Sequence, residues 1–266
     1  MSKVTVPKLQ TMKQQGERIS CLTAYDYLFA TALDSAGVEA ILVGDSLGMV
    51  IQGHSSTLPV TLEDMAYHSL AVSRGVSRAM VIADLPFLTY QQSPQQALLS
   101  AGHLMKAGGA EVVKLEGGAE MAPTVEFLTQ RGIPVCGHLG LTPQSVHQLG
   151  GYRVQGREQA RAEQLKNDAL ILQQAGACAV VLECIPQLLA TQITKELVIP
   201  TIGIGAGANC DGQVLVLQDM LGLNDAHAPR FVRNFLQGTG SIDKALRAYV
   251  IAVRDGSFPT ADESYK

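Results

Sequence analysis

Titratable residues recur directly after short apolar runs of the sequence, and this spacing could carry chemistry. The runs are unalternated and rich in valine and isoleucine, and in five successive cases the residue that follows is Asp45, Asp84, Glu116, His138 or Glu183. Such runs are typical of strands buried on both faces of a parallel sheet. Because the carboxyl ends of parallel barrel strands share one face, we expect these side chains to meet at one mouth.

Three of the acids form a set of hard oxygen donors. No cysteine lies among Asp45, Asp84 and Glu116, and oxygen-only ligation with open positions favours Mg²⁺ over zinc. Carboxylates that converge in one mouth repel each other unless a cation offsets them. A divalent ion with vacant positions can chelate a 2-oxo acid, polarise its carbonyl group and acidify the neighbouring C–H bond.

A base must then remove the acidified proton, and Glu183 is the remaining carboxylate. Its neighbours Leu182, Cys184 and Ile185 would shield it from water, which suits a general base. Lys114 lies two residues before Glu116, so both side chains point to the same side of one strand. The Lys114 ammonium group could therefore bind a substrate carboxylate or stabilise a developing enolate.

Simpler structural interpretations stay open for the same residues. A carboxylate after a strand can cap the next helix, Lys114 can serve only to neutralise acids, and His138 can be a hydrogen-bonding neighbour of the site. The glycine-rich segment 203–207 could cradle a phosphate, as loops after late barrel strands do. It could equally form a tight turn in which glycine is needed for close packing.

The elements that must position these residues are those of a (β/α)8 barrel. Helical patterns alternate with eight apolar runs, which lie at 19–22, 40–43, 80–83, 112–115, 133–136, 179–182, 201–204 and 214–217. Thr61, Ser93 and Ser241 are expected to cap three of the helices. The length favours one barrel domain over residues 1–266, with a doubly wound open sheet as the alternative. The stretch 221–230 is expected to form an irregular connection.

Composition excludes several classes of protein. Apolar residues make up 47% of the chain and the net charge is −4, which argues against disorder, a nucleic-acid-binding surface and a polybasic membrane anchor. We find neither an apolar run long enough to span a membrane nor an apolar signal segment, so we expect a cytoplasmic protein.

The five cysteines include no C-x-x-C pair, and we expect reduced thiols rather than disulfides or zinc ligands.

At the level of motifs, the chain closely resembles the ketopantoate hydroxymethyltransferase family over nearly its whole length. The segments that carry the resemblance are TAYD at 23–26, VGDSLGMV at 43–50, STLPVT at 56–61, ADLPF at 83–87, VKLEGG at 113–118, GHLGLTPQ at 137–144, IGIGAG at 202–207 and DGQ at 211–213. The resemblance implies a barrel of the phosphoenolpyruvate/pyruvate type that assembles as a homodecamer. It also implies transfer of a one-carbon unit from 5,10-methylenetetrahydrofolate to 3-methyl-2-oxobutanoate, giving 2-dehydropantoate for the synthesis of pantothenate and coenzyme A.

The same resemblance implies roles for individual residues. Asp45, Asp84 and Glu116 match the family's Mg²⁺ ligands, and Glu183 matches its proton-accepting glutamate. The contacts to the oxo acid are matched by Asp45, Ser46, Asp84 and Lys114. The segment 46–61, which holds two glycines, could cover the site and exclude water.

Two other functions remain compatible with the residues alone. Lys114 could form a Schiff base with substrate in a class I aldolase, which would need no metal ion. A non-catalytic barrel could serve as a ligand-binding or assembly protein.

Overall fold

The strands of this chain close into a barrel. The computed structural model describes residues 2–224 and 228–266. All strand pairs are parallel, each strand pairs with the next, and the last pairs with the first. The strands are β1 Ile19–Thr23, β2 Ala40–Val43, β3 Met80–Asp84, β4 Val112–Glu116, β5 Val135–Gly140, β6 Ala179–Glu183, β7 Thr201–Ile204 and β8 Gly212–Leu215. The predicted (β/α)8 barrel is confirmed, and the open sheet is wrong.

Two predicted strands are displaced in the structure. The strand expected at 133–136 begins at Val135, because Pro134 has no N–H group to donate to a neighbouring strand. The strand expected at 214–217 covers Gly212–Leu215, and Leu217 begins a short helix whose first N–H donates to the Thr23 hydroxyl. Of the irregular connection expected at 221–230, residues 225–227 lie outside the described residues.

Helices cover the outside of the barrel. In the described part of the chain they are α1 Val6–Gln15, α2 Tyr27–Ala36, α3 Leu47–Val50, α4 Leu62–Arg74, α5 Pro94–Lys106, α6 Ala122–Thr129, α7 Val146–Leu149, α8 Gln159–Gln174, α9 Gln187–Glu196, α10 Leu217–Met220 and α11 Ile242–Asp255. The Thr61, Ser93 and Ser241 side chains each accept a backbone N–H of the first turn, so the predicted caps are confirmed. Among the described residues, none of these helices combines the length and apolarity that crossing a membrane requires.

Alternation along the strands divides the core into two layers. Inward-facing residues fill the barrel interior together with Leu9 and Met12 of α1, which closes the end of the barrel away from the mouth. Outward-facing residues pack under the helices in a larger cluster. Lys13 of α1 is tied to the base through an ion pair of 2.7 Å with Asp211. The five cysteines are free thiols, as predicted.

Helix α11 attaches to the barrel through a buried tyrosine. The Tyr249 side chain is fully buried, and its hydroxyl lies 2.8 Å from the Cys21 carbonyl oxygen and 3.0 Å from that of Gln213. Its ring packs edge-on against Phe235. The one hydroxyl proton is thus shared between carbonyl oxygens of β1 and β8, the first and last strands, where the barrel closes.

Replacing this tyrosine tests the attachment. Tyr249→Phe keeps the ring but leaves buried carbonyl groups without their donor, so we expect it to lower the free energy of unfolding by about 1–2 kcal/mol. Urea denaturation measures this change. An unfolding free energy equal to that of the wild type would show that the hydroxyl contributes nothing to barrel closure.

Candidate active site

The mouth at the carboxyl ends of the strands collects the five predicted titratable side chains. Asp84, Glu116 and Glu183 are the last residues of β3, β4 and β6, and Asp45 is the second residue after β2. His138 lies within β5 rather than after it, because β5 continues to Gly140. The five side chains therefore lie at one face of the barrel, as predicted.

Strand register decides which of these groups become neighbours. Asp84 of β3 is opposite Lys114 of β4, and Glu116 is opposite His138 of β5. The Lys114 Nζ atom lies 2.6 Å from Asp84 Oδ1, with both side chains almost fully buried. Lys114 and Glu116 share the inner side of β4, as the two-residue spacing predicts.

His138 stands between two glutamates. Its Nδ1 atom is 3.4 Å from Glu116 Oε1 and its Nε2 atom is 3.1 Å from Glu183 Oε2. Burial and the nearby Lys114 favour the neutral ring, but the two carboxylates outweigh them and raise the pKa of His138 to about 9. The two carboxylates thus favour the protonated ring, and neither ring nitrogen makes a hydrogen bond within the described residues.

Glu183 differs from the other acids in its accessibility. Its side chain is 15% exposed, whereas those of Asp84 and Glu116 are only 4% and 3% exposed. A molecule that enters the mouth can therefore reach the Glu183 carboxylate, while the other acids lie deeper.

In each of the three deeper acids, Asp45, Asp84 and Glu116, one carboxylate oxygen accepts a hydrogen bond from an N–H group. Asp84 Oδ2 accepts the backbone N–H of Asp45 at 3.1 Å, and Asp45 Oδ2 accepts the Gln144 side-chain amide at 2.8 Å. Glu116 Oε2 accepts the backbone N–H of Gln144 at 3.0 Å. Asp84 Oδ1 makes no hydrogen bond within the described residues and has only its ion pair with Lys114.

Like charges dominate the electrostatics of the mouth. Burial, and after it the carboxylates of Asp84 and Glu116, raise the pKa of Asp45 well above its usual value, against the smaller effects of Lys114 and Gln144. Burial alone lowers the pKa of Lys114, but Asp84, Glu116 and Asp45 outweigh it and raise that pKa above its usual value. When ionised, four carboxylates face one ammonium and one imidazolium group, which leaves a formal charge of −2.

Donor chemistry and charge fit a hard divalent cation in this mouth. The acids offer oxygen donors only, and their carboxylates outnumber the two cationic groups, Lys114 and His138, that lie against them. Within residues 2–224 and 228–266, however, no three His, Cys, Asp or Glu side chains are arranged so that they could hold one ion. Asp84 is engaged by Lys114 instead. The ligand set of Asp45, Asp84 and Glu116 therefore stays a prediction.

Ser46 lies at the same mouth and is positioned by a tyrosine. The hydroxyl groups of Ser46 and Tyr25 are 2.8 Å apart, and Tyr25 is buried. A Cβ atom on Gly44 would lie 2.8 Å from Ser46 Oγ and 3.5 Å from Asp84 Oδ2. Glycine at this position therefore lets the serine hydroxyl approach the acid cluster.

Side chains fill the space beside the glycine-rich segment 203–207. A Cβ atom on Gly205 would lie 2.7 Å from the Phe231 ring, and one on Gly207 would lie 2.6 Å from the Cβ atom of Gln187. Both glycines have positive φ. This geometry favours the close-packing interpretation over a phosphate cradle.

Two segments approach each other at the rim of the mouth. The Tyr152 hydroxyl lies 3.5 Å from the Met49 sulfur atom, and both side chains are exposed. Partial burial, and then the Glu183 carboxylate, raise the pKa of Tyr152. The segment 46–61, expected to cover the site, is therefore in contact with a second rim segment that the sequence had not indicated.

Sequence reasoning missed four polar residues of the mouth: Tyr25, Tyr90, Gln144 and Tyr152. None carries a charge at neutral pH, so a search for acids and bases passes over them. Gln144 closes the segment GHLGLTPQ that carries part of the family resemblance, and that position was the available signal.

Solved structures with the same architecture define the class of barrel. Phosphonopyruvate hydrolase in complex with oxalate and Mg²⁺ matches with a TM-score of 0.64 at 13% identity, over 99% of this chain and 93% of that chain. A 2,3-dimethylmalate lyase, a member of the PEP mutase/isocitrate lyase superfamily, matches with a TM-score of 0.60 at 17% identity, over 85% and 84%. The chain therefore shares the closed barrel fold of these two proteins.

Sequence relatives identify the family within this class. A model of the ketopantoate hydroxymethyltransferase family matches residues 3–261. The 3-methyl-2-oxobutanoate hydroxymethyltransferase of Thiobacillus denitrificans is 60% identical over 98% of this chain and 99% of its own length. That of Nitrosococcus oceani is 56% identical over the full length of both chains. The chain belongs to the ketopantoate hydroxymethyltransferase family, as its motifs predicted, and the non-catalytic interpretation is wrong.

The backbone that carries Glu183 depends on a neighbouring glycine. Gly140 has a φ of +95°, and a Cβ atom there would overlap the Glu183 carbonyl oxygen. The same oxygen accepts the Leu141 N–H at 2.9 Å. Cys184, the residue after Glu183, has a φ of +47°, which is costly for a residue with a side chain.

We therefore expect Gly140→Ala to displace Glu183. The overlap with backbone and the positive φ should together lower the free energy of unfolding by more than about 3 kcal/mol, with loss of activity. Gly150→Ala is the matched control, because Gly150 also has positive φ (+71°) but open space around it. It should cost only about 1 kcal/mol. Equal losses in denaturant titrations of the two variants would refute this account.

Proposed function

We propose that the chain transfers a hydroxymethyl group from 5,10-methylenetetrahydrofolate to 3-methyl-2-oxobutanoate, giving 2-dehydropantoate, with Glu183 as the base. The family and the names of its relatives support the reaction. The observation that carries the mechanism is the contrast between one accessible carboxylate, Glu183, and the deeper acids beside Lys114. We also propose that residues 1–266 form one domain.

Binding of the oxo acid is assigned to the deep part of the mouth. Lys114 is held protonated and buried, so its ammonium group can attract the negative oxygens of the substrate. Ser46, Asp45 and Asp84 lie around it, and the hydroxyl of Ser46 can donate to a substrate oxygen. These contacts would orient the C3–H bond of the substrate toward Glu183.

A divalent cation, proposed to be Mg²⁺, would be held by Asp45, Asp84 and Glu116. When bound, it would polarise the 2-oxo group of the substrate and so acidify the C3 proton. The oxygen-only donors and the excess of carboxylates over cationic groups in the mouth support this assignment.

Proton transfer is assigned to Glu183. Its carboxylate takes the C3 proton, and the C3 carbon of the resulting enolate forms a bond to the methylene carbon carried by the folate. Both C–N bonds between that methylene carbon and the folate break, and one water molecule supplies the hydroxyl oxygen of the product. The two folate nitrogens take up the proton from Glu183 and one proton of the water, and tetrahydrofolate leaves. His138, 3.1 Å away, would hold the carboxylate of Glu183 in position during the transfer.

Assembly as a homo-oligomer is part of the proposal. Large apolar side chains are exposed on the outer faces of four neighbouring helices: Leu28 on α2, Tyr67 on α4, Leu99 on α5 and Ile251 on α11. Such exposed apolar surface supports association with further copies of the chain, for which the motif resemblance implies ten.

Removing the base tests the mechanism without the folate. In Glu183→Gln we expect exchange of the C3 proton of 3-methyl-2-oxobutanoate with deuterated solvent to fall by about 10²–10⁴-fold, because no carboxylate can accept the proton. NMR in the presence of Mg²⁺ follows the exchange, and calorimetry checks that Mg²⁺ still binds. Glu196→Gln, an exposed glutamate at the end of α9, is the control and should exchange normally. Undiminished exchange in Glu183→Gln would refute the base assignment.

The aldolase alternative makes the opposite prediction. An ammonium group whose pKa is raised and that pairs with Asp84 is a poor nucleophile, so Lys114 should form no Schiff base. We expect borohydride to trap no adduct with 3-methyl-2-oxobutanoate in a mass spectrum of the protein, and a chelator to abolish C3 proton exchange. A trapped adduct on Lys114 together with chelator-resistant exchange would establish the aldolase instead.

A further inference from the structure

A single glutamine joins two of the acids in the mouth. The Gln144 side chain is 5% exposed, and its Nε2 atom donates to Asp45 Oδ2 at 2.8 Å and to the Leu85 carbonyl oxygen at 3.0 Å. Its backbone N–H donates to Glu116 Oε2 at 3.0 Å. One residue thus holds one oxygen of each of two carboxylates, one that follows β2 and one at the end of β4.

The orientation of the Gln144 amide follows from its partners. The Asp45 carboxylate and the Leu85 carbonyl can only accept hydrogen bonds, so the NH₂ group must face them. The Oε1 atom then accepts from the Tyr90 hydroxyl at 2.7 Å and from the Gln91 amide at 3.1 Å. A flipped amide would place its oxygen against two acceptors, so the observed orientation is the favourable one.

Tyr90 fixes this glutamine and the strand that carries Glu116 at once. Its hydroxyl accepts the backbone N–H of Glu116 at 3.1 Å and donates to Gln144 Oε1. The Tyr90 side chain is 1% exposed, and burial raises the pKa of its hydroxyl, which therefore stays a donor. The hydroxyl sets the position of Glu116 directly and that of Asp45 through Gln144.

We propose that Tyr90 and Gln144 are positioning residues that orient the carboxylates of Asp45 and Glu116 toward a divalent cation. Gln144 holds one oxygen of each acid, Oδ2 of Asp45 and Oε2 of Glu116, and so fixes the rotation of both carboxylates. The other oxygen of Glu116, Oε1, lies 3.4 Å from His138 Nδ1. Hydrogen-bonded partners of this kind orient metal-ligating carboxylates and strengthen metal binding. The inference rests on the cation site of the proposed function.

A neutral donor suits this position better than a charged one. Lysine or arginine between Asp45 and Glu116 would neutralise the acids and repel the cation, whereas an amide orients them without adding charge. Lys114 provides the contrast, because it adds positive charge to the mouth and contacts Asp84. The neutral Gln144 therefore orients the carboxylates, and the charged Lys114 neutralises part of their charge.

Replacing the glutamine by methionine gives the first test. Gln144→Met keeps the length of the side chain but removes its amide, and we expect the affinity for Mg²⁺ to fall by about 10–100-fold. Calorimetry with Mg²⁺ and paramagnetic resonance with Mn²⁺ measure the affinity of the full chain without substrate. Circular dichroism and thermal melting without metal show whether the variant is folded.

Replacing the tyrosine gives a second test that is gentler on the fold. Tyr90→Phe should weaken Mg²⁺ and Mn²⁺ binding by about 10-fold, because the amide and Glu116 lose their common partner. Tyr249→Phe is the matched control, since it removes an equally buried hydroxyl from β1 and β8 and should leave metal affinity unchanged. In the double variant Tyr90→Phe/Gln144→Met, the losses should be less than additive, because Tyr90 acts partly through Gln144.

The variant Asp84→Asn tests the cation site separately from the positioning role of Tyr90 and Gln144. If Asp84→Asn loses metal binding while folded Gln144→Met and Tyr90→Phe bind as the wild type does, the positioning role is wrong and the cation site stands. If Asp84→Asn also binds normally, the cation site of the proposed function is wrong, and the inference falls with it.

Discussion

Repulsion among buried carboxylates is the interaction on which the rest of the structure depends. Asp45, Asp84 and Glu116 are each nearly inaccessible to water, and burial, followed by the charges of Asp84 and Glu116, raises the pKa of Asp45 well above its usual value. Such a cluster persists only where donors and cations offset the charge. Lys114 and His138 supply part of that charge, and N–H groups hold one oxygen of each acid. A bound cation can neutralise the negative charge that remains.

The barrel makes this cluster possible because different parts of each strand stabilise the fold and carry the site. Inward-facing apolar residues fill the interior below the mouth, and α1 closes the base with Leu9, Met12 and the Lys13–Asp211 ion pair. The strand ends can therefore carry polar residues at small cost to the core. Cys184, beside Glu183, is one of two non-glycine residues with positive φ in the described part of the chain, the other being Leu88.

The apolar runs and the residues that follow them predict most of this arrangement. They do not predict the uncharged side chains that hydrogen-bond to the acids. The apolar runs locate the strands, and the acids that follow them lie at one mouth because parallel strands end on one face. The shifted bounds of β5 and β8 follow from Pro134 and from polar Gln213, which interrupt the apolar signal. Gln144 and Tyr90 escape because their roles depend on contacts across 26 to 99 residues, which no local pattern encodes.

Accessibility explains how similar side chains at one mouth can have different roles. A group that orients a cation benefits from burial, since a low dielectric strengthens its interactions, whereas a group that exchanges protons with a substrate must be reachable. Glu183 meets the second requirement and the deeper acids meet the first. His138 lies 3.4 Å from the buried Glu116 and 3.1 Å from the accessible Glu183, so its charge acts on one acid of each kind. Hydrogen bonds from Tyr90 to Glu116 and through Gln144 to Asp45 join the two buried acids, so these acids form one bonded network rather than two separate groups.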